Sequence, residues 1–318
     1  MKALHYTGSR LRGPRFELIY GKPGFPDALS KIPNPPKVLY GIGDASALKE
    51  GIAIVGARKA TPYGRGCARR FAGAAAERGI VIISGGARGC DAQAHRAALD
   101  AGGITVAFLG GGCDEIYPAE HFGLFQDIID AQGAVVSEYP WEHPPMPYGF
   151  RLRNRLIAGL ARATLIVEAG LPSGTFSTAD EALGAGKEVL VVPGAITSAS
   201  SRGANRLLYQ GAIPIVDDES FQDVLFSLFG LLKQETMHHD GKDAESRRGG
   251  NQAQTPENEI IRALQAEPMH LERLFELASQ MHPGATSSEW LMEQLADAEM
   301  KGVITRYPDG RYGPQLKA

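Results

Sequence analysis

Four short runs of this 318-residue chain carry residue types suited to holding an anion. In Ile54-Val55-Gly56-Ala57-Arg58 an apolar run ends on two small residues and a guanidinium. Small residues let backbone N–H groups approach an anion, and Arg58 adds a fork of donors. Ser84-Gly85-Gly86-Ala87-Arg88-Gly89-Cys90-Asp91 follows a second apolar run and is rich in amides, with a helix start behind it. It reads G-x-x-x-G, so the dinucleotide fingerprint is absent, and no G-K-[ST] makes a P-loop. In Glu168-Ala169-Gly170-Leu171-Pro172-Ser173-Gly174-Thr175, the Ser173 and Thr175 hydroxyls beside Gly174 suit a phosphate at a helix start. Phe150-Arg151-Leu152-Arg153-Asn154-Arg155 places three arginines in five residues next to an aromatic ring. Guanidinium groups for phosphate and a ring for base stacking are the composition of a single-strand nucleic-acid binder. Arg151 and Arg155 share one helical face. Arg153 points elsewhere, and for it an ion pair with Glu168 or Glu138 is the alternative to a phosphate contact.

Other groups read more plainly as structure. Asp91 and His95, four apart, could be a catalytic pair, but a helix-start carboxylate and a packed histidine explain them as well. Cys113 beside Asp114 has no basic neighbour in sequence to lower its pKa, so it reads as a small buried side chain. Arg65 and Arg69 share a helix face, and Arg69 and Arg70 read as solvated. Cys67, Cys90 and Cys113 are too few and too far apart for a disulfide framework or a zinc site. No cofactor is expected.

These turns need elements to position them. From residue 52 the chain repeats a short apolar run, a Gly-rich turn and a helical stretch. The runs are Ile52–Val55, Ile80–Ile83, Thr105–Leu109, Ala134–Val136, Thr164–Val167 and Val189–Val192. Continuous apolar runs of this length suit strands buried on both faces. Between them Pro62–Arg78 reads as a helix, with Thr61 as N-cap. The expected fold is α/β, an extended Rossmann-like, doubly wound, mainly parallel sheet. Gly-rich turns at successive strand ends, including Pro193-Gly194, Ser201, Gly203 and Asn205, then line one crevice at the carboxyl edge. Residues 1–50 read as a short lead-in, 51–232 as the Rossmann-like domain, and 233–255 as a flexible linker in which His238-His239 is solvated.

Residues 256–318 read as a small winged helix. Pro256–Gln265 is a short helix, and Leu271, Leu274, Phe275 and Ala278 have helical spacing. Thr286 with Glu289 forms a capping box before a third helix burying Leu291, Leu295 and Ala298. Val303-Ile304 and Tyr312 flank the Asp309-Gly310 hairpin signal. The third helix carries Glu289, Glu293, Asp297 and Glu299, with no Arg or Lys before Lys301. A helix entering a DNA groove needs the opposite sign, so a protein contact or structural role is expected.

The charge distribution points to the same face. The chain has 33 Lys/Arg and 36 Asp/Glu, a formal −3, with 43% hydrophobic residues, which excludes a disordered tail protein. Residues 1–100 hold 16 basic against 7 acidic residues, a balance of +9. Residues 101–150 hold no basic residue and 7 acidic ones. An anionic partner should therefore meet the first hundred residues and the arginines of 151–155. No apolar run is long enough to span a bilayer and no secretory signal is visible, so the expected location is the cytoplasm, with no membrane partner.

The set V-G-A-R-K-A-T-P-Y-G, S-G-G-A-R-G-C-D-A-Q-A-H, G-G-G-C-D-E-I-Y-P-A-E-H, R-N-R-L-I-A-G-L, V-E-A-G-L-P-S-G-T, V-P-G and S-R-G-A-N resembles the bacterial DNA-processing DprA (Smf) family. The resemblance is dense and in order from about Ile32 to Val216, and weaker over the winged helix. It implies a dimer built through the Rossmann-like domain, with no catalytic activity. Such a protein binds and protects single-stranded DNA and loads RecA onto it during natural transformation. The helical SAM-like domain of many members is not expected here. By resemblance, Gly56, Ala57 and Arg58, the Ser84–Gly89 turn and Ser173-Gly174-Thr175 form the phosphate pocket, bordered by Phe150 and the Arg-Asn-Arg segment. Three positions depart from the family pattern: Ala57 replaces a usual Ser, Cys90 a usual Ile, and Arg151 a common Pro. A nucleoside-monophosphate phosphoribohydrolase of the same broad fold is the alternative. Its P-G-G-x-G-T-x-x-E hallmark contrasts here with L-P-S-G-T-F-S-T-A-D.

Overall fold

Among the described residues, nine strands join one sheet. They are Arg15–Ile19 (β1), Val38–Gly43 (β2), Gly51–Val55 (β3), Ile82–Ser84 (β4), Thr105–Phe108 (β5), Ala134–Ser137 (β6), Ala161–Ile166 (β7), Glu188–Val191 (β8) and Ile213–Pro214 (β9). Their order across the sheet is β1-β2-β6-β5-β4-β3-β7-β8-β9. All neighbours from β6 to β9 run parallel, while β1 with β2 and β2 with β6 are antiparallel. The computed structural model describes residues 10–171 and 173–230, then residues 264, 269–271, 273–275, 278, 287–300, 303–306 and 312–314. The chain divides into two compact units, Met1–Thr236 and Met237–Ala318.

Burial follows the two-residue period of a strand. Every residue of β3 is buried. Ala53 and Val55 join the apolar cluster on one face of the sheet, and Ile52 and Ile54 join the cluster on the other. The first cluster is closed by Pro147–Leu160 (α5), Thr175–Gly184 (α6) and Arg202–Tyr209 (α7), the second by Pro62–Ala76 (α2), Cys90–Asp100 (α3) and Asp218–Phe229 (α8). A short helix, Asp27–Ser30 (α1), packs near α5, and Phe122–Asp130 (α4) covers β2, β5 and β6. Local chemistry sets the helix starts. Thr61 accepts from Gly64 N ahead of Pro62, and Asp217 and Ser220 form a reciprocal capping box at α8.

The sheet is therefore α/β, Rossmann-like and mainly parallel. The six expected strands fall at β3 to β8. The lead-in is different. Residues 15–43 contribute β1 and β2 to the same sheet, so the boundary drawn at residue 51 separates parts of one sheet. Their signal is weak because β1 is an edge strand with alternating exposure and only two partly buried side chains. One of these, Phe16, pairs across to Gly41 and lays its ring where a Cβ at Gly41 would sit.

The second unit carries a helix, Ser287–Met300 (α9), and a hairpin of Ile304–Arg306 (β10) with Tyr312–Pro314 (β11). Met269 bridges to Tyr312. Leu264, Leu274, Ala278, Leu291, Leu295, Ala298 and Ile304 form its buried cluster. The helix expected over 256–265 (apart from Leu264), Thr286 of the capping box and the Asp309-Gly310 turn lie outside the described residues, as does the linker.

Candidate functional site

The sheet order reverses beside β3: β4, β5 and β6 lie on one side, β7, β8 and β9 on the other. Turns leaving the carboxyl ends of β3 and β7 diverge to opposite faces there, which opens a crevice. A cleft of about 680 Å³ occupies this point. Gly56, Ala57 and Arg58 line it from the β3 turn. Phe150, Arg151, Arg153 and Asn154 line it from α5, and Ser173, Gly174 and Thr175 from the start of α6. Ten of the sixteen site residues expected from sequence thus converge on one cavity.

The β3 turn is braced from below. Buried Glu168, at the end of β7, accepts from Thr61 N at 2.8 Å and holds the start of α2 against the neighbouring strand. Arg58 projects over α5. Its Cζ lies 5.5 Å from the centroid of the Phe150 ring, and Tyr117 packs on the same ring at 5.3 Å, tilted by 52°. One guanidinium and two aromatic rings therefore form a continuous wall. Such a wall stacks flat groups without regard to their edges.

The Ser84–Gly89 turn behaves differently from its expected phosphate-holding role. Asp91 reaches back, and its Oδ2 accepts from Gly85 N at 3.2 Å and Ala87 N at 3.4 Å. Ser84 is fully buried, its Oγ donating to Ile54 O at 2.7 Å. Gly86 and Gly89 take left-handed φ values of 66° and 80° and face the Phe125 ring and the Ala57 carbonyl. Arg88 is exposed and pairs with Glu120. Of this turn Ala87 lines the cleft and Ser84, Gly85, Gly86, Arg88 and Gly89 do not, and the Asp91 carboxylate, itself part of the lining, takes two of the turn's amides.

On α5 the three arginines separate. Arg155 pairs bidentately with Glu138, at 2.6 and 3.2 Å, and both side chains are largely buried. Arg155 is thus the structural arginine, and the partner considered for Arg153 belongs to it. Arg151 stands exposed at the rim. Arg153 is buried on the floor, lying over Gly85, where a Cβ would fall 1.6 Å from its Nη1. Its Nη2 donates to Gly85 O at 3.3 Å, and its Nε has no hydrogen-bond partner among the described residues. Burial pulls the Arg153 pKa down to about 10 although the Asp91 charge opposes this, and nearby Arg58 adds to the drop. Burial likewise raises Asp91, against the pull of Arg153 and the backbone amides. A buried guanidinium with an open N–H is a standing demand for an anion.

The α6 turn supplies the complementary side. Ser173 Oγ accepts from Thr175 N at 3.1 Å, and Gly174 has open space where a side chain would stand. Thr175 and Thr178 are buried against the cleft wall. Sequence reasoning did not single out Tyr117, Pro145 or Pro147 as site residues. Tyr117 reaches the cleft from the loop between β5 and α4, and Pro145 and Pro147 from the end of the 138–146 crossover and the start of α5. His95, weighed as a partner for Asp91, instead bonds Thr105 Oγ1 at 2.7 Å inside the core, and burial lowers its pKa to about 3. Cys113 is fully buried and burial pushes its thiol up, while Asp114 is taken by Arg15 at 2.6 Å.

Comparison with known proteins agrees with this geometry. Residues 17–226 match the family model described as DNA recombination-mediator protein A. Protein Smf of Escherichia coli (strain K12) is 34% identical over 303 residues, covering 94% of this chain and 78% of that protein. DNA processing protein DprA of Bacillus subtilis (strain 168) is 36% identical over 203 residues, covering 63% of this chain and 68% of that protein. Among solved structures, DNA processing protein A from Helicobacter pylori, studied for a unique single-stranded DNA binding mode, superposes with a TM-score of 0.61 at 31% identity. The match covers 69% of this chain and 99% of that one. No helix among the described residues is long and apolar enough to cross a membrane.

Proposed function

The chain belongs to the DNA recombination-mediator protein A family, and on that premise we propose that it has a DNA-processing role in which the β3–β7 cleft holds single-stranded DNA. The observation that carries this reading is the cleft itself. It joins a guanidinium stacked on Phe150 to a buried Arg153 whose Nε has no partner. Phosphate goes to Arg58, Arg153, Arg151 and the Ser173-Gly174-Thr175 turn. Bases stack on Phe150 and Tyr117. Asn154 adds a neutral donor and acceptor to the lining. Such a site reads no groove and no base code, so binding is strong for any strand and falls with salt.

The protein acts by binding and not by turnover. It protects strands taken up during natural transformation and hands them to RecA, working in the cytoplasm as a homodimer. Residues 256–318 form the winged helix, whose acidic third helix suits a protein contact. The nearness of family members called DNA processing proteins supports this wider role, and the cleft chemistry supports its first step.

Fluorescence anisotropy tests the reading, with a labelled single-stranded oligonucleotide, its duplex and a labelled mononucleotide across a salt series. Preference for the single strand with a steep salt slope is expected. Arg58→Ala should weaken that binding at least about 100-fold with unchanged circular dichroism, because the stacked guanidinium meets both phosphate and base. Tight mononucleotide binding without strand binding would overturn the reading in favour of a phosphoribohydrolase, detectable by released base.

A further inference from the structure

Three exposed arginines outside the cleft lie along the seam between α2 and α3. These helices pack against each other, with Cys90 Sγ reaching Gly64 O at 3.9 Å. Arg69, on α2, crosses the seam to Asp100, on α3, at 2.8 Å, so its side chain faces that helix. Arg65 precedes Arg69 by four residues and Arg96 precedes Asp100 by four, which places both on the faces that meet at this bridge. Four residues of helix advance about 6 Å, so Arg65 and Arg69 offer donors in line along α2. The head of the seam reaches the cleft at the start of α3, where Asp91 is part of the cleft lining. Arg65 Nη1 donates to Ala60 O at 2.9 Å, two residues after Arg58.

Each guanidinium keeps donors for a phosphate: Arg65 gives one of its five N–H groups to Ala60 O and holds the others in reserve. Arg96 is exposed and has no side-chain partner among the described residues. The Arg69–Asp100 pair is about half exposed on each side, so solvent screens it and a phosphate can replace the carboxylate. The stripe lies within the hundred residues that carry the +9 balance, and planar guanidinium forks suit phosphate oxygens.

We propose that a single strand leaving the cleft continues along the α2–α3 seam, its phosphates met by Arg65, Arg69 and Arg96. The inference rests on the cleft reading above and extends its footprint. Charge complementarity and continuity with the cleft choose the occupant. An acidic protein segment on the same stripe is the competing outcome.

The test compares a short oligonucleotide of about 6 nucleotides with a long one of about 20, within the range of lengths that single-strand sites cover. The full-length protein is used, with Arg65→Ala, Arg69→Ala and Arg96→Ala combined. A second triple variant, Lys22→Ala, Lys31→Ala and Lys37→Ala, removes the same charge from exposed positions around β1, α1 and β2. The arginine triple should bind the short strand within about twofold of wild type and the long strand at least about tenfold more weakly. Its log–log salt slope for the long strand should be shallower by about 2, as three lost phosphate contacts require. The lysine triple should change neither strand by more than about twofold, and Asp100→Asn should tighten the long strand. Long-strand affinity equal to wild type, a loss matched by the lysine triple, or an equal loss on the short strand would each overturn the stripe. A short strand that wild type does not hold, or that Arg58→Ala holds equally well, would overturn the cleft reading and the stripe with it.

Discussion

The turn at Ser84–Gly89 and the turn at Ser173–Thr175 both follow a buried strand, both combine a hydroxyl with glycine, and both lead into a helix. They differ in what their amides meet. In the first, Gly85 and Ala87 donate to Asp91 and the start of α3 is closed by the Ala57 carbonyl. In the second, no carboxylate among the described residues bonds back to the turn, and all three of Ser173, Gly174 and Thr175 line the cleft, against Ala87 alone from the first. A single side chain, positioned by the first turn of α3, converts one anion site into a structural joint. Arg153 lies across that joint, so the closed turn also sets the position of a cleft residue. The closed turn should therefore report on stability first, and the open turn on binding first.

The largest test of this contrast is Asp91→Ala. It strands the buried Gly85 amide and the half-buried Ala87 amide and removes the charge that favours a charged Arg153, so a loss of about 3–5 kcal/mol is expected by urea denaturation. Ser173→Ala should cost less than about 1 kcal/mol and show instead in strand affinity. Equal losses of stability would abolish the distinction. A sharper pair uses glycine. At Gly85 a Cβ falls 1.6 Å from Arg153 Nη1, whereas at Gly174 nothing lies within 4 Å and φ is −65°. Gly85→Ala should cost about 1–3 kcal/mol and displace Arg153, while Gly174→Ala should stay within about 0.5 kcal/mol.

A last test is confined to acid pH and concerns His95, which lies on the same helix and is buried in the core. Its folded pKa is lowered from 6.5 to about 3 by burial. Between those values the unfolded chain binds a proton that the native state does not. Stability from this group is therefore full above pH 6.5 and declines as pH falls towards 3, by at most about 1.4 kcal/mol per pH unit. His95→Gln should flatten the acid limb of a stability–pH curve by up to one proton. An unchanged slope would show that His95 does not resist acid as its burial requires.

Local patterns carried much of this protein. Continuous apolar runs marked β3 to β8 because strands covered on both faces hold mostly apolar side chains. Thr61-Pro62 marked the start of α2 because capping is a contact between near neighbours. Gly56, Arg58, Phe150 and Ser173 could be expected at the cleft because the crevice of a doubly wound sheet lies at the carboxyl ends of its strands. β1 escaped because an edge strand half open to water has a diluted pattern, and β2 because its partners β1 and β6 are separated from it by residues that say nothing about pairing.

The sequence by itself determined the layered α/β architecture, the basic first third and the residue types gathered at the carboxyl edge, all of which follow from periodicity and composition. Only the tertiary structure decided the division of labour among like residues. It set Arg155 against Glu138 and Arg153 over Gly85, closed one glycine turn with Asp91, and brought Tyr117 onto Phe150. The physical reason is distance: whether an amide or a guanidinium is free for a ligand depends on which group from a remote part of the chain has already reached it.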